Sequence, residues 1–217
     1  MLIMGKNSHI GVDESGKGDY FGYLVAAGVL SDDESEKKLR QLGVKDSKKL
    51  LDAAALKMAV QVKKVCRYEI VKISPEKYNS LYKKFGPKGL NKLLAWCHAR
   101  VIENILEKNE CDYVITDKFG DERFLKDALM EKGKKIKVVH MVRAESDIAV
   151  AAASVLARAE FLKTLKKLSL EVGYKLPKGS TDVETAAKIM VERYGEKILP
   201  MIAKTHFKIT KRVLKKT

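Results

Sequence analysis

One stretch near the start of the chain, residues 9–22, constrains the fold more than any other. It reads His-Ile-Gly-Val-Asp-Glu-Ser-Gly-Lys-Gly-Asp-Tyr-Phe-Gly, and a second apolar run continues from it to Leu30. Two apolar runs on either side of a Gly-Lys-Gly turn indicate a β-hairpin. Neighbouring side chains of a strand point to opposite faces, so the adjacent acids Asp13 and Glu14 cannot both face a buried core.

These two acids at the mouth of a glycine-rich turn suit a hard cation. Mg2+ takes oxygen ligands and often shares a phosphate of its substrate. The glycines let the backbone approach a ligand closely, and Lys17 adds a positive charge for phosphate. The alternative is a hairpin whose turn is merely polar and solvated, because a lone glycine-rich loop is a weak signal. The turn alone leaves both interpretations open.

The charge of the chain favours a polyanionic partner. It has 43 Lys and Arg against 28 Asp and Glu, a net charge of +15, and residues 161–217 alone carry 14 basic and 5 acidic residues. Such an excess attracts nucleic acid. A lysine-rich thermophile surface is the alternative, although that enrichment usually balances the two signs.

Size and composition predict one cytoplasmic domain over residues 1–217, with residues 161–217 as a basic helical extension packed on it. Hydrophobic residues make up 46% of the chain, which is typical of a globular protein. No apolar run approaches the ~20 residues of a membrane span, and residues 1–8 lack the layout of a secretory signal. The three cysteines have no metal-ligand spacing, so we expect buried free thiols in a monomer of the reducing cytosol.

Another acid follows a predicted strand further along the chain. The β-rich run 111–116 ends at Asp117, and open α/β sheets place ligands at the carboxyl ends of their strands. Asp121 is better placed to cap the following helix. We therefore assign Asp117 to chemistry and Asp121 to structure.

Amphipathic helices alternate with these strands, which predicts an α/β domain. The helix Leu90–Leu106 contains His98, which we interpret as a packing or capping residue rather than a ligand. A lysine-rich loop at 45–49 contains Ser47 and Lys48. This loop can either hold a phosphate or cap the helix that begins near Asp52.

Several of these motifs resemble one known family. The stretch Asp-Glu-Ser-Gly-Lys-Gly-Asp-Tyr-Phe-Gly is similar to the opening motif of the type 2 ribonucleases H, and of ribonuclease HIII in particular. The resemblance extends from His9 to about Thr210. It implies a ribonuclease H-like fold, with a mixed five-stranded sheet flanked by helices and additional C-terminal helices. Further matching segments lie at 91–98, 114–119, 176–181 and 203–207.

The resemblance also implies a site of four carboxylates. In ribonuclease HIII the fourth acid is a Glu in an Ala-Glu-Ser context just before an Ala-Ala-Ala-Ser helix, which Glu145 matches. One residue is missing between Glu145 and that helix, which leaves Asp147 as a rival ligand or as the helix N-cap. Two Mg2+ or Mn2+ ions would relieve the repulsion among these acids. The implied ligands are Asp13, Glu14, Asp117 and Glu145.

The substrate implied by the family is an RNA/DNA hybrid, whose RNA strand would be cut to leave 3′-hydroxyl and 5′-phosphate ends. The resemblance assigns recognition of the 2′-hydroxyl, the group that distinguishes RNA from DNA, to the glycine-rich turn. Lysine contacts to phosphates should make binding dependent on salt. The candidate substrate-binding residues are Ser15, Gly16, Lys17, Gly18, Ser47, Lys48, Lys178 and Ser180.

Two other functions are considered. Ribonuclease HII cuts at single ribonucleotides in DNA, but the Ala-Glu-Ser acid and the absence of its tyrosine signature around Tyr174 argue against it. The second is a non-catalytic nucleic-acid-binding protein whose acids are inactive or structural. Ribonuclease HIII typically has an N-terminal substrate-binding domain, and only about eight residues precede the motif here. We expect the basic tail to substitute for that domain in part.

Overall fold

A mixed five-stranded sheet forms the centre of the protein. The computed structural model describes residues 8–44, 50–117 and 121–214. The strand order is β3-β2-β1-β4-β5, in which β2 is antiparallel to β1 and β3, while β1, β4 and β5 are parallel. With helices on both faces, this sheet confirms the predicted fold class. The strands are β1 (His9–Ser15), β2 (Leu24–Ser31), β3 (Arg67–Ile73), β4 (Tyr113–Asp117) and β5 (Lys137–Met141).

Some of the helices begin where the local sequence supplies a side-chain cap. Asp32 and Ser35 form a capping box at the start of α1, and Ser74 caps α3, which has Pro75 in its first turn. The described helices are α1 (Asp33–Gln41), α2 (Asp52–Val65), α3 (Pro75–Phe85), α4 (Gly89–Leu106), α5 (Arg123–Ala128), α6 (Ile148–Glu171), α7 (Val183–Tyr194), α8 (Leu199–Ile202) and α9 (Lys208–Leu214).

The two faces of β1 pack against different helices. Ile10 and Val12 are fully buried in the cluster formed with α3, α4 and α5, whereas Gly11 faces α6. A Cβ atom at Gly11 would lie 2.2 Å from the backbone nitrogen of Val150, so only glycine lets α6 cross this strand so closely. The tight crossing places the α6 backbone directly against β1.

The C-terminal half contains one long helix, followed by a helix without a side-chain cap. The helix that contains the Ala-Ala-Ala-Ser run extends to Glu171, so position 161 lies inside α6. The next helix, α7, begins without a side-chain cap. Asp182 occupies the cap position in a left-handed conformation, and its side chain makes no capping hydrogen bond.

The cysteines are less uniformly buried than the sequence predicts. All three cysteines are free; Cys97 is buried, whereas Cys66 and Cys111 are only partly buried. Across the described ranges, no helix has both the length and the apolar character needed to span a membrane.

Candidate active site

The predicted acids lie where the parallel strands end. Val12 of β1 pairs with Thr116 of β4, so Asp13 and Asp117, the next residues, lie side by side at the same edge of the sheet. Asp117 in turn pairs with Met141 of β5. Glu145 follows in a short 3-10 turn, Ala144–Ser146, between β5 and α6. This is the edge at which open α/β sheets bind ligands.

Asp13 lies on the face of β1 that packs against α6. Its carboxylate accepts the backbone N–H of Glu14 at 2.8 Å and a hydrogen bond from the hydroxyl of Ser154. Burial, followed by the charge of Glu14, raises the pKa of Asp13 to about 6 because both oppose ionisation. The raised pKa marks a carboxylate that a nearby cation would stabilise.

Glu14 points to the opposite face, towards α4, and its side chain is only 4% exposed. One carboxylate oxygen lies 2.9 Å from Nε2 of His98, and the other lies 2.6 Å from Nζ of Lys17. Burial raises the pKa of Glu14, but the His98 hydrogen bond and charge, together with Lys17, outweigh burial and lower it to about 2. Glu14 is therefore ionised beside an acid that resists ionisation.

His98 joins the two strands that carry these acids. It is fully buried, and its Nδ1 lies 3.0 Å from Oγ1 of Thr116, while its Nε2 bonds Glu14. Interpreting His98 from the sequence as a packing or capping residue misses this contact with the site. The available signal is its place on the buried face of α4 between Leu94 and Val101, where a polar side chain requires a partner.

Lys17 supplies a positive charge that three carboxylates share. Burial alone would lower the pKa of its ammonium, but the charges of Glu14, Asp13 and Asp117 outweigh burial and raise it. No three His, Cys, Asp or Glu side chains within the described ranges are close enough to hold a metal ion jointly. The ionised and buried oxygens around Lys17 are nevertheless the ligand type that Mg2+ and Mn2+ prefer. The donor set fits such ions.

Asp147 is occupied by other contacts. Its Oδ1 accepts the backbone N–H groups of Ala149 and Val150 at 3.0 Å each, and its Oδ2 lies 3.0 Å from Nε2 of His9. His9 lies four residues before Asp13 on β1, which is roughly 13 Å along a strand. The N-cap interpretation of Asp147 is confirmed. Glu145 remains the predicted fourth ligand.

The glycine-rich turn has one glycine that the backbone requires and one that leaves open space. Gly16 has φ +86°, and a Cβ atom there would lie 2.2 Å from the carbonyl oxygen of Tyr23. At Gly18, a Cβ atom would meet nothing within 4 Å. Ser15 is partly buried at the end of β1, whereas Lys17 and Gly18 are exposed. The tip of the turn is therefore accessible to a ligand.

The other candidate binding residues are only partly brought to this turn. Lys178 forms an ion pair with Asp52, which also binds Arg158. The next residue, Gly179, donates its backbone N–H to Oδ1 of Asp19 at 2.7 Å, which holds this loop beside the turn.

The remaining candidate binding residues are Ser180, Ser47 and Lys48, and the remaining structural assignment is Asp121. Ser180 is exposed, and Ser47 and Lys48 lie outside the described residues. The assignment of Asp121 to structure is confirmed, because its carboxylate accepts the backbone N–H of Arg123 at the start of α5.

Comparison with known proteins gives a consistent family. The ribonuclease HII family model matches residues 10–210. Ribonuclease HIII of Protochlamydia amoebophila is 47% identical over 209 residues, which cover 96% of this chain and 69% of that protein. The crystal structure of Bst-RNase HIII in complex with Mn2+ has a TM-score of 0.88 and 34% identity, and covers 98% of this chain and 70% of its own.

Ribonuclease HII of Archaeoglobus fulgidus, in its complex with PCNA, is also similar. Its TM-score is 0.78 at 29% identity, and the match covers 96% of this chain and 98% of that one. The fold is thus shared with both branches, whereas the higher identities are to ribonucleases HIII. The chain therefore belongs to the type 2 ribonuclease H family and, within it, is similar to the ribonucleases HIII.

Proposed function

We propose that this ribonuclease H hydrolyses the RNA strand of RNA/DNA hybrids with the help of divalent metal ions, leaving 3′-hydroxyl and 5′-phosphate ends. The observation that carries the proposal is the grouping of Asp13, Glu14 and Asp117 at the ends of two parallel strands around one lysine. The identity to ribonuclease HIII supports it.

The ligands of the metal ions would be Asp13, Glu14, Asp117 and Glu145. Two Mg2+ or Mn2+ ions, when bound, supply positive charge for the attacking and leaving oxygens of a phosphodiester. The Mn2+ complex of Bst-RNase HIII supports this use of a divalent ion. The charge of bound metal ions would also favour the ionised form of Asp13. Without them, burial raises the pKa of Asp13 to about 6.

The neighbouring side chains orient these carboxylates. His98 fixes one oxygen of Glu14 from the buried side, and Ser154 donates to Asp13 from α6. Lys17 is 46% exposed, so its ammonium can leave Glu14 and bind a phosphate oxygen of the substrate. His98 and Ser154 would keep the carboxylates of Glu14 and Asp13 in place when the ammonium of Lys17 moves away.

Selection of RNA would depend on the turn at Gly16-Lys17-Gly18. The open space at Gly18 allows a ribose to approach the backbone, where a 2′-hydroxyl can be hydrogen-bonded. Lys178 and Ser180, on either side of Gly179, would contact the sugar-phosphate backbone, as would Ser47 and Lys48. The net charge of +15 would strengthen binding without base specificity.

A second candidate is incision at single ribonucleotides in duplex DNA. The family model described as ribonuclease HII and the similarity to the Archaeoglobus fulgidus enzyme favour it. The higher identity to ribonuclease HIII and the Ala-Glu-Ser context of Glu145 favour the hybrid as substrate.

The test is cleavage of two labelled duplexes in Mg2+ and in Mn2+. One is an RNA/DNA hybrid with a long RNA strand, and the other is a DNA duplex containing one ribonucleotide. We expect efficient cutting of the hybrid, products that a polymerase extends from their 3′ ends, and no cutting by Asp117→Asn. Preferred incision at the lone ribonucleotide would establish the second candidate. Cutting in excess EDTA, or full activity of Asp117→Asn, would refute the metal site.

A further inference from the structure

A buried lysine that contacts the segment after the glycine-rich turn has no part in the reaction proposed above. Lys204 lies between α8 and α9, and its side chain is 0% exposed. An ammonium group removed from water is costly unless it is hydrogen-bonded. Burial lowers the pKa of Lys204 to about 7, although the charge of Asp19 opposes this shift. A group retained at this cost requires an explanation.

The contacts of Lys204 are with the backbone that follows the turn. Its Nζ donates to the carbonyl oxygens of Asp19 and Gly22 at 2.8 Å each, and its own backbone N–H donates to the carbonyl of Tyr20 at 2.8 Å. The ring of Tyr78 lies 5.7 Å from the ammonium. The ammonium binds the carbonyls of Asp19 and Gly22, which are three residues apart. It therefore fixes the distance between the two ends of the segment Asp19–Gly22.

Other C-terminal residues hold the same segment. The backbone N–H of Gly22 donates to the carbonyl of Ile202 at 2.9 Å, and the carboxylate of Asp19 accepts the backbone N–H of Gly179. The ring of Phe161 on α6 packs against both Gly16 and Gly22. The exposed tip of the turn at Gly18 has open space around it, so its position depends on these anchors on either side.

We propose that Lys204 is a positioning residue for RNA selection. Its ammonium fixes Asp19–Gly22 and thereby holds the Gly16-Lys17-Gly18 turn at the height at which its backbone reads a ribose 2′-hydroxyl. This inference rests on the proposed function. It differs from a general structural role, because a residue that only stabilises the fold would change the fraction of active enzyme without changing the preference for RNA.

The test uses three lysine variants and two kinds of hybrid. Lys204→Met removes the ammonium, Lys204→Gln retains a donor for the carbonyls, and Lys108→Met removes one charge from an exposed lysine at the end of α4. One hybrid has an all-ribose RNA strand, and in the others a single 2′-hydroxyl is replaced by hydrogen at successive positions. We measure kcat, KM and the rate ratio of the all-ribose hybrid to each deoxy-substituted hybrid.

We expect Lys204→Met to lower kcat on the all-ribose hybrid by roughly ten- to a hundredfold, since small displacements of a positioning group have effects of this size. The rate ratio should fall with kcat at the position that the turn contacts, and Lys204→Gln should recover part of both. Amide hydrogen exchange of Gly16, Lys17 and Gly18 should become faster in Lys204→Met. Lys108→Met should leave kcat, the ratio and the exchange rates unchanged.

An unchanged ratio and unchanged exchange in folded Lys204→Met would overturn the inference. If that variant does not fold, Lys204→Gln decides alone, because its shorter, neutral side chain keeps a donor for the carbonyls of Asp19 and Gly22 but lacks the ammonium. A smaller fall in the ratio would then support the inference, and no fall would contradict it. Failure of the wild type to cut the hybrid at all would instead refute the proposed function, and the exchange rates would still decide whether Lys204 holds the turn.

Discussion

Two histidine–carboxylate pairs occupy opposite ends of β1, and they have the same chemical groups at nearly the same distance. At the carboxyl end, Nε2 of His98 lies 2.9 Å from Glu14. At the amino end, Nε2 of His9 lies 3.0 Å from Asp147. Both histidines are almost fully buried. The pairs therefore cannot be distinguished by their own geometry.

They differ in what else the carboxylate binds. The second oxygen of Asp147 accepts two backbone N–H groups of α6, so its hydrogen-bonding capacity is used within the fold. The second oxygen of Glu14 meets Lys17, which is 46% exposed and can be displaced, and the neighbouring acid Asp13 has a raised pKa. The remaining partners of the carboxylate therefore decide whether such a pair can serve a ligand or a helix end.

The largest expected difference is in activity. Asp13→Asn should lower kcat on an RNA/DNA hybrid by more than about a hundredfold. Loss of a side chain that only hydrogen-bonds to a metal ligand already lowers activity about ten- to a hundredfold, and Asp13 is proposed as a ligand itself. Asp147→Asn should stay within a few-fold of wild type, since Asn also caps helices. Steady-state cleavage with protein of verified folding measures both. Equal losses of kcat in the two variants would show that the Asp13 end and the Asp147 end of β1 do not differ in their role in catalysis.

The histidines should differ by a smaller factor. His98→Gln should lower kcat about ten- to a hundredfold, because His98 hydrogen-bonds to Glu14 and orients its carboxylate. His9→Gln should change kcat by less than about threefold and act mainly on stability. Thermal melts run beside the kinetics separate the two effects. A fully active His98→Gln would show that Glu14 needs no orientation from α4.

The acids should have opposite effects on stability. The folded-state pKa of Asp13 is raised from 3.8 to about 6, so wild type loses stability as the pH rises through this window. Asp13→Asn has no carboxyl group to ionise at this position, so it avoids this loss of stability. Its free energy of unfolding at pH 7 without added metal should exceed that of the wild type by on the order of 1 to 3 kcal/mol. The gain should vanish below about pH 4.

The pKa of Asp147 is lowered, so its stabilising contribution is present at neutral pH and is lost as the pH falls below the ordinary range of aspartate. Asp147→Ala should therefore lower the free energy of unfolding at pH 7, by about 1 to 2 kcal/mol, through loss of the cap and the His9 contact. Urea unfolding at several pH values measures both acids. A destabilised Asp13→Asn at pH 7 would contradict the unfavourable burial of that acid.

The smallest expected effect is that of Lys17→Met on stability. An ion pair with one half-exposed partner contributes about 1 kcal/mol or less, so the free energy of unfolding should change by no more than this. Hybrid binding should weaken and become less dependent on salt. A large loss of stability would mean that Lys17 is a fixed structural partner of Glu14, like the partners of Asp147.

The sequence predicts the acids better than their partners. Asp117 follows a β-rich run, and Asp147 precedes an apolar helix, so local patterns are enough for the strand-end acid and the N-cap. The partner of Glu14 is 84 residues away at His98, and Lys204 is 182 residues from Gly22. Such contacts depend on how α4 and the C-terminal segment pack on the sheet, which no local pattern specifies.

The motif that contains Lys178 identifies a segment near the site but not the partner of the lysine side chain. The resemblance assigns Lys178 to substrate binding, but its ammonium binds Asp52, 126 residues away. The loop does reach the turn, through the backbone of Gly179 rather than through the lysine. A motif thus identifies the segment, whereas the side-chain partners depend on the tertiary structure.

The position of the metal site is tested most directly by Mn2+ binding, measured by isothermal titration calorimetry for the wild type, Asp13→Asn and Asp147→Asn in parallel. We predict that the wild type and Asp147→Asn bind Mn2+ with similar affinity, and that Asp13→Asn loses most of the binding while remaining folded. Unchanged binding by Asp13→Asn together with loss of binding by Asp147→Asn would contradict the placement of the metal site at the carboxyl end of β1.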